Sequence, residues 1–92
     1  MNNKEEQIIK YYKDGKLNGN CISFDEDGNI TNIIDYKDDK KHGFWRGFYN
    51  GWLMWVEPYK DNKKHGKKIF YNKDGTINKV EIYKNGVLID DE

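Results

Sequence analysis

The chain has 92 residues, and its sixteen acidic side chains cancel its sixteen Lys plus Arg. That length fits one small domain, and the charge balance argues against a globally basic nucleic-acid binder. Apolar residues make up only 36% and alanine is absent, while Ile, Tyr, Phe and Trp are plentiful, which disfavours helix, favours strand and predicts a thin core. Cys21 is the single cysteine, so no intramolecular disulfide can form and a reducing compartment is expected. Met1 to Lys10 lacks the apolar run of a secretory signal, and no segment is long and apolar enough for a membrane span. The expectation is a cytoplasmic protein.

In chain order, Ile8 to Lys13 reads as a strand, with Asn3 and Glu6 offering a helix-capping pair as the alternative just before it. A period then sets in. Tyr12, Tyr36, Tyr59 and Tyr83 are spaced 24, 23 and 24 residues apart, and Gly19, Gly43 and Gly66, then Gly28, Gly51 and Gly75, keep the same interval. Self-similarity of this kind marks a repeat architecture in which each unit relies on its neighbours to bury a face. The units are Tyr12 to Asp35, Tyr36 to Pro58, Tyr59 to Ile82 and a partial fourth, 83–90, within a single domain over 1–92.

Each unit holds two strands and two turns. Gly15, Asp39, Asn62 and Gly86 stand three residues after the four tyrosines, and all are types that tolerate left-handed backbone, so the four turns should be alike. The second unit is one residue short in its other turn, where Asn50-Gly51 replaces Asp25-Glu26-Asp27-Gly28 and Asn72-Lys73-Asp74-Gly75. The predicted fold is all-β: an antiparallel meander of about eight strands built from tandem 23–24-residue hairpins, with little or no helix.

The middle unit differs in content. Phe44 to Tyr59 carries all three tryptophans, the only arginine and the only proline, around Asn50-Gly51, a strong hairpin signal. Strict alternation places Trp52, Met54 and Val56 on one face and Leu53, Trp55 and Tyr59 on the other. Both faces are then apolar and need cover from the sheet itself, a second copy or a partner. Pro58, which cannot donate to a ladder, predicts a bulge or an early strand end that re-aims the chain beside Trp55.

The recurring Tyr36-Lys-Asp-Asp-Lys-Lys-His42-Gly43, Tyr59-Lys-Asp-Asn-Lys-Lys-His65-Gly66 and Tyr83-Lys-Asn-Gly86 resemble the bacterial MORN-repeat-variant family over about Tyr12 to Leu88. The resemblance implies a hairpin-repeat sheet and a role as an antitoxin or interaction module. Asp39 and Asn62 stand where that family more commonly has glycine, and the second unit is unusually aromatic.

Nothing in the chain resembles an active site, and no cofactor or enzymatic activity is expected. His42 and His65 occupy equivalent places, but no Cys or acidic residue recurs beside them to complete a metal set. Cys21 has no histidine in its own unit to activate it, and Glu57 and Glu81 are repeat equivalents, which reads as a structural column. A protein-binding function fits better. Trp, Tyr and Arg dominate interface hot spots, which makes Phe44, Trp45, Arg46, Phe48, Tyr49, Trp52, Met54 and Trp55 the candidate partner-binding residues of an antitoxin-like or inhibitor-like module. The alternative is an electrostatic adaptor for nucleic acid or phospholipid headgroups, or an acidic partner, using a Lys-rich turn rim that includes Lys40, Lys41, Lys63, Lys64, Lys67 and Lys68.

A homodimer is also expected. The sheet edges fall at about Ile8 and Leu88, where Glu5, Glu6, Asp90, Asp91 and Glu92 oppose edge pairing. Face-to-face packing, through Trp45, Leu53 and Trp55 or through their opposite-face neighbours, is the remaining route.

Overall fold

The computed structural model describes Gln7 to Asp91; the Asn3 and Glu6 capping pair and the charges of Glu5, Glu6 and Glu92 lie outside these residues. The strands are β1 (Gln7–Ile9), β2 (Tyr12–Lys13), β3 (Lys16–Leu17), β4 (Gly19–Phe24), β5 (Ile30–Lys37), β6 (Lys40–Tyr49), β7 (Trp52–Lys60), β8 (Lys63–Lys64), β9 (Gly66–Tyr71), β10 (Ile77–Lys84) and β11 (Val87–Asp91). Among the described residues there is no helix. The main sheet runs β1-β4-β5-β6-β7-β9-β10-β11, with β8 hydrogen-bonded to β7 and β2-β3 forming a small hairpin of their own. Pairing is antiparallel, the path ends on β1 and β11 without closing into a barrel, and the protein is a single-layer antiparallel meander measuring 45 × 38 × 19 Å. The predicted strand from Ile8 to Lys13 is interrupted: β1 ends at Ile9, and Tyr12 already belongs to the β2-β3 hairpin.

The turn residues behave as their chemistry requires. Asp14-Gly15, Asp38-Asp39, Asp61-Asn62 and Asn85-Gly86 all have positive φ at both central positions, as does Asn50-Gly51. This is the mirror-image turn whose twist matches that of the flanking strands. Asp39 and Asn62 also do something glycine cannot. The Leu17 amide donates to Asp39 Oδ1 at 2.7 Å and the Lys41 amide to Asn62 Oδ1 at 2.8 Å, so each side chain fastens its turn to the preceding unit. Backbone bonds accompany them, from Asp39 N to Leu17 O, Asn62 N to Lys41 O and Gly86 N to Lys64 O.

The register of the ladders slips at two recurring places. One lies at the repeat-equivalent positions Asp35, Pro58 and Ile82: between Ile34 and Tyr36, between Val56 (opposite Ile69) and Tyr59 (opposite Lys64), and between Ile82 and Tyr83. The other follows the second turn of each unit. The register jumps between Ser23 and Phe24, between Gly47 and Phe48, and between Ile77 and Lys79, leaving Thr31, Met54 and Asn78 as extra residues. Each stands three positions after its turn glycine, Gly28, Gly51 or Gly75. A bulge inserts one residue on one strand and reverses the alternation beyond it. The predicted partition of the middle hairpin is corrected accordingly. Trp52 stands opposite Tyr49 and Leu53 opposite Phe48, which puts Trp52 on the face of Trp45 and Trp55, and Leu53 on the face of Val56. The bulge beside Trp55 is at Met54, and a second break falls at Pro58 as expected, where three steps along β7 from Val56 to Tyr59 face five on the neighbouring chain, from Ile69 to Lys64. β7 continues through Pro58 to Lys60, with Pro58 opposite Phe44. Pro58 is tolerated where β7 changes neighbour, from β9 at Trp55 and Val56 to β8 at Tyr59 and Lys60.

Following the register across the sheet separates two faces. One carries an aliphatic row, Ile9, Ile22, Ile33, Arg46, Val56, Ile69 and Val80, and beside it a second apolar row from the pairs Phe24–Ile30, Phe48–Leu53 and Tyr71–Ile77. The other carries Cys21, Ile34, Trp45, Glu57, Lys68 and Glu81 in one row, flanked by Trp55 and Phe70 and by Tyr36, Tyr59 and Tyr83. Cys21 is the only buried hydrophobic residue among the described residues, at 7% exposure, and Glu57 joins it at 3%. The thin core expected of so short a chain is thus confined to the centre of the aromatic face.

Candidate functional site

The aromatic face is built outward from a glycine. Gly47 lies opposite Trp55 in the β6-β7 ladder, and a Cβ there would stand 2.5 and 2.7 Å from Cζ2 and Nε1 of the Trp55 ring. The missing side chain lets that indole lie flat against the sheet. Trp45, two residues earlier on the same side, then meets Trp55 edge-to-face, with ring centroids 5.4 Å apart and planes at 64°. This is a favoured aromatic geometry. Trp45 also approaches Tyr59 at 6.1 Å, and its Nε1 donates to Asn32 Oδ1 at 2.8 Å, satisfying the one polar atom of the indole.

Three lysines lie on this surface. Lys41 Nζ stands 4.3 Å from the Trp45 ring centroid and 5.2 Å from that of Tyr59. Lys64 covers Tyr83 at 4.9 Å, and Lys68 lies between Trp55 at 5.2 Å and Phe70 at 4.6 Å. These are distances at which a cation is drawn to the ring face, while the lysine stems cover apolar surface. Of the six lysines assigned to a phosphate rim, Lys41, Lys64 and Lys68 are thus engaged with aromatic rings; Lys40, Lys63 and Lys67 are exposed.

Glu57 is the electrostatic centre. Its Oε1 accepts from the Tyr59 hydroxyl at 2.6 Å, and Oε2 lies 2.9 Å from Lys68 Nζ and 3.4 Å from Lys64 Nζ. Oε2 makes no hydrogen bond of good angle, so those ammonium groups hold it as an ion pair. Burial pushes the carboxyl up, but the Tyr59 hydroxyl and the two lysines outweigh it and leave Glu57 below the ordinary carboxylate range. Burial and the facing carboxylate together push the Tyr59 hydroxyl well up. The next unit repeats the design in the open: the Tyr83 hydroxyl donates to Glu81 Oε1 at 2.9 Å, and Lys79 pairs with Glu81 at 3.3 Å.

The eight candidate binding residues divide between the faces. By register, Trp45, Tyr49, Trp52 and Trp55 share the aromatic face, while Phe44, Arg46 and Phe48 fall on the aliphatic one and Met54 is the bulge. Arg46 pairs with Asp35 at 3.2 Å and stands over Phe44 at 5.4 Å. Asp35 is further occupied by the Phe44 amide and by Asn20. Sequence reasoning missed Gly47, Glu57 and Tyr59 as parts of the site. The Glu-x-Tyr spacing common to Glu57-Tyr59 and Glu81-Tyr83 was the available signal, because residues two apart on a strand share a face.

The two histidines serve the repeat. His42 Nδ1 is 3.8 Å from Asp61 Oδ1, and His65 Nδ1 accepts from the Asn85 amide at 3.4 Å, so each faces the turn of the next unit. Among the described residues no helix is long and apolar enough to cross a membrane. No family model matches the chain, and no curated protein matches it at a significant level.

Proposed function

We propose that the chain is a non-enzymatic protein-binding module of antitoxin or inhibitor type that neutralises a partner protein through the aromatic face of its middle repeat. The observation that carries this reading is the placement of all three tryptophans on one side of a single-layer sheet, each still partly accessible. A structural repeat gains nothing from concentrating its largest side chains in one unit, whereas interfaces draw their energy from such clusters. The resemblance to the MORN-repeat-variant family points the same way. Chemistry narrows the partner: among the described residues Lys41 has no carboxylate within ion-pair distance, although it stands over Trp45 and Tyr59. A partner that sets an acidic side chain beside an apolar patch would complete it.

The test is affinity capture with the wild-type chain beside Trp45→Ala and Trp55→Ala, each verified as folded by circular dichroism. The reading expects a protein retained by the wild type and lost by both variants. Equal retention by folded variants would remove it. The phosphate-adaptor alternative retains Lys40, Lys63 and Lys67 as unengaged cations and predicts binding that falls steeply with salt.

A further inference from the structure

We infer that the aliphatic face is covered by the same face of a second copy of this chain, giving a two-layer sandwich related by a two-fold axis. The inference is independent of the reading of the aromatic face. Small domains close a core between packed layers, and this chain supplies one layer. Among the described residues the close pairings run between strands of that layer, and the one buried hydrophobic residue, Cys21, lies on the opposite side. One apolar row crossing seven strands and a second crossing six are therefore left without a second layer.

The area suits a second copy. Seven strands at about 4.8 Å span about 29 Å, and these two rows with Phe44, Pro58 and Ile82 beside them extend about 20 Å along the strands, a flat footprint of about 600 Å². Protruding side chains expose more surface than their flat projection, which brings each copy to about the 800 Å² per partner of a standard interface. An isologous contact needs only that a patch fit itself, and two twisted sheets meet that condition about 10 Å apart with strands nearly aligned.

Charge selects the face. The chain has zero formal net charge, so copies do not repel at long range. Within the two rows the only charge is Arg46, neutralised by Asp35 at 3.2 Å; the adjoining row of Phe44, Pro58 and Ile82 also carries Lys67 and Asp90, of opposite sign on either side of Ile82. The aromatic face presents Lys41, Lys64, Lys68 and Lys79 against Glu57 and Glu81, so pairing it with itself would bring like charges together. Of the two faces, the aliphatic one is compatible with its own copy.

Sedimentation equilibrium on the wild-type chain is expected to give twice the 11.0 kDa chain mass. Ile33→Lys and Ile69→Glu should halve it, whereas Trp45→Ala on the other face should not. Because a charged variant can fail to fold, a second measurement uses wild-type protein alone: isotope-filtered NOE spectra of a mixed labelled and unlabelled sample. Intermolecular cross-peaks among the methyls of Ile22, Ile33, Val56 and Ile69 are expected. A single-chain mass at NMR concentration, or intermolecular cross-peaks arising from Trp45 and Trp55 instead, overturns the inference.

Discussion

Gly47→Ala adds one methyl group where the aromatic face has no room for it. The substitution is a contest of two effects. Replacing a strand glycine by alanine reduces the entropy of the unfolded chain and is worth about 0.4–1 kcal/mol where the backbone allows it, as it does here, since Gly47 is not among the positive-φ glycines. Against this, the new Cβ would stand 2.5 Å from Trp55 Cζ2. The ring cannot swing away freely, because Trp45 meets it edge-to-face and Lys68 lies across it. Overpacking of this kind costs about 1–3 kcal/mol, and losing the aromatic pair adds about 0.5–1.5 kcal/mol. The net expectation is destabilisation by about 0.5–4 kcal/mol. Urea unfolding at fixed protein concentration measures it, and near-UV circular dichroism reports the loss of the indole arrangement. In a double-mutant cycle with Trp55→Leu, most of the penalty should vanish, because the clash partner is gone. A Gly47→Ala protein as stable as wild type, with an unchanged near-UV spectrum, would refute the packing described for this face.

Tyr59→Phe removes the 2.6 Å bond to Glu57 and should cost about 1.5–3 kcal/mol at neutral pH, the range for a hydrogen bond to a charged group. The same pair sets the pH dependence. Glu57 is depressed from 4.5, so its contribution is present above that value and is lost as pH falls through the lower folded value; Tyr59 is raised from 10.0, so stability falls as pH rises above it. Unfolding curves across both ranges check this, and Tyr59→Phe should flatten the alkaline loss. Asn62→Ala should cost about 2–3 kcal/mol, from about 1 for the bond to the Lys41 amide and about 1–2 for left-handed backbone in a residue poorly suited to it, whereas Asn62→Asp should stay near wild type by urea midpoint. If the exposed lysines Lys40, Lys63 and Lys67 read phosphate, gel shift on duplex DNA or sedimentation with anionic vesicles should show binding at low salt that weakens steeply at high salt; the protein-binding account expects none at either.

Much of the architecture was legible because turn chemistry leaves its mark on residue types. Tyr, Gly and Asx recur at fixed offsets, and the backbone at Asp39 and Asn62 takes the left-handed conformation their types allow. The bulges were not legible. Thr31, Met54 and Asn78 share a place but no chemistry, since an extra residue in a ladder demands no particular side chain. That single omission put Trp52 and Leu53 on the wrong faces. The rim expected from Lys-rich turns sharing one side of a meander does not extend to every lysine: Lys68 lies with a side chain 16% exposed between Glu57 and two rings. Pro58 signalled a register break that is present, the slip between the Val56–Ile69 and Tyr59–Lys64 pairs where β7 changes neighbour from β9 to β8, but it gave no sign of the separate bulge at Met54.

The claim that the aromatic face binds a protein is tested most directly by isothermal titration of the captured partner against wild-type chain, Trp45→Ala and, as a control on a distant turn, Lys84→Ala. The account predicts that Trp45→Ala, folded, weakens Kd by about thirtyfold or more, equivalent to about 2 kcal/mol, while Lys84→Ala leaves it unchanged. A Kd for folded Trp45→Ala within about twofold of wild type, well below the 1.4 kcal/mol of a tenfold change, would contradict it.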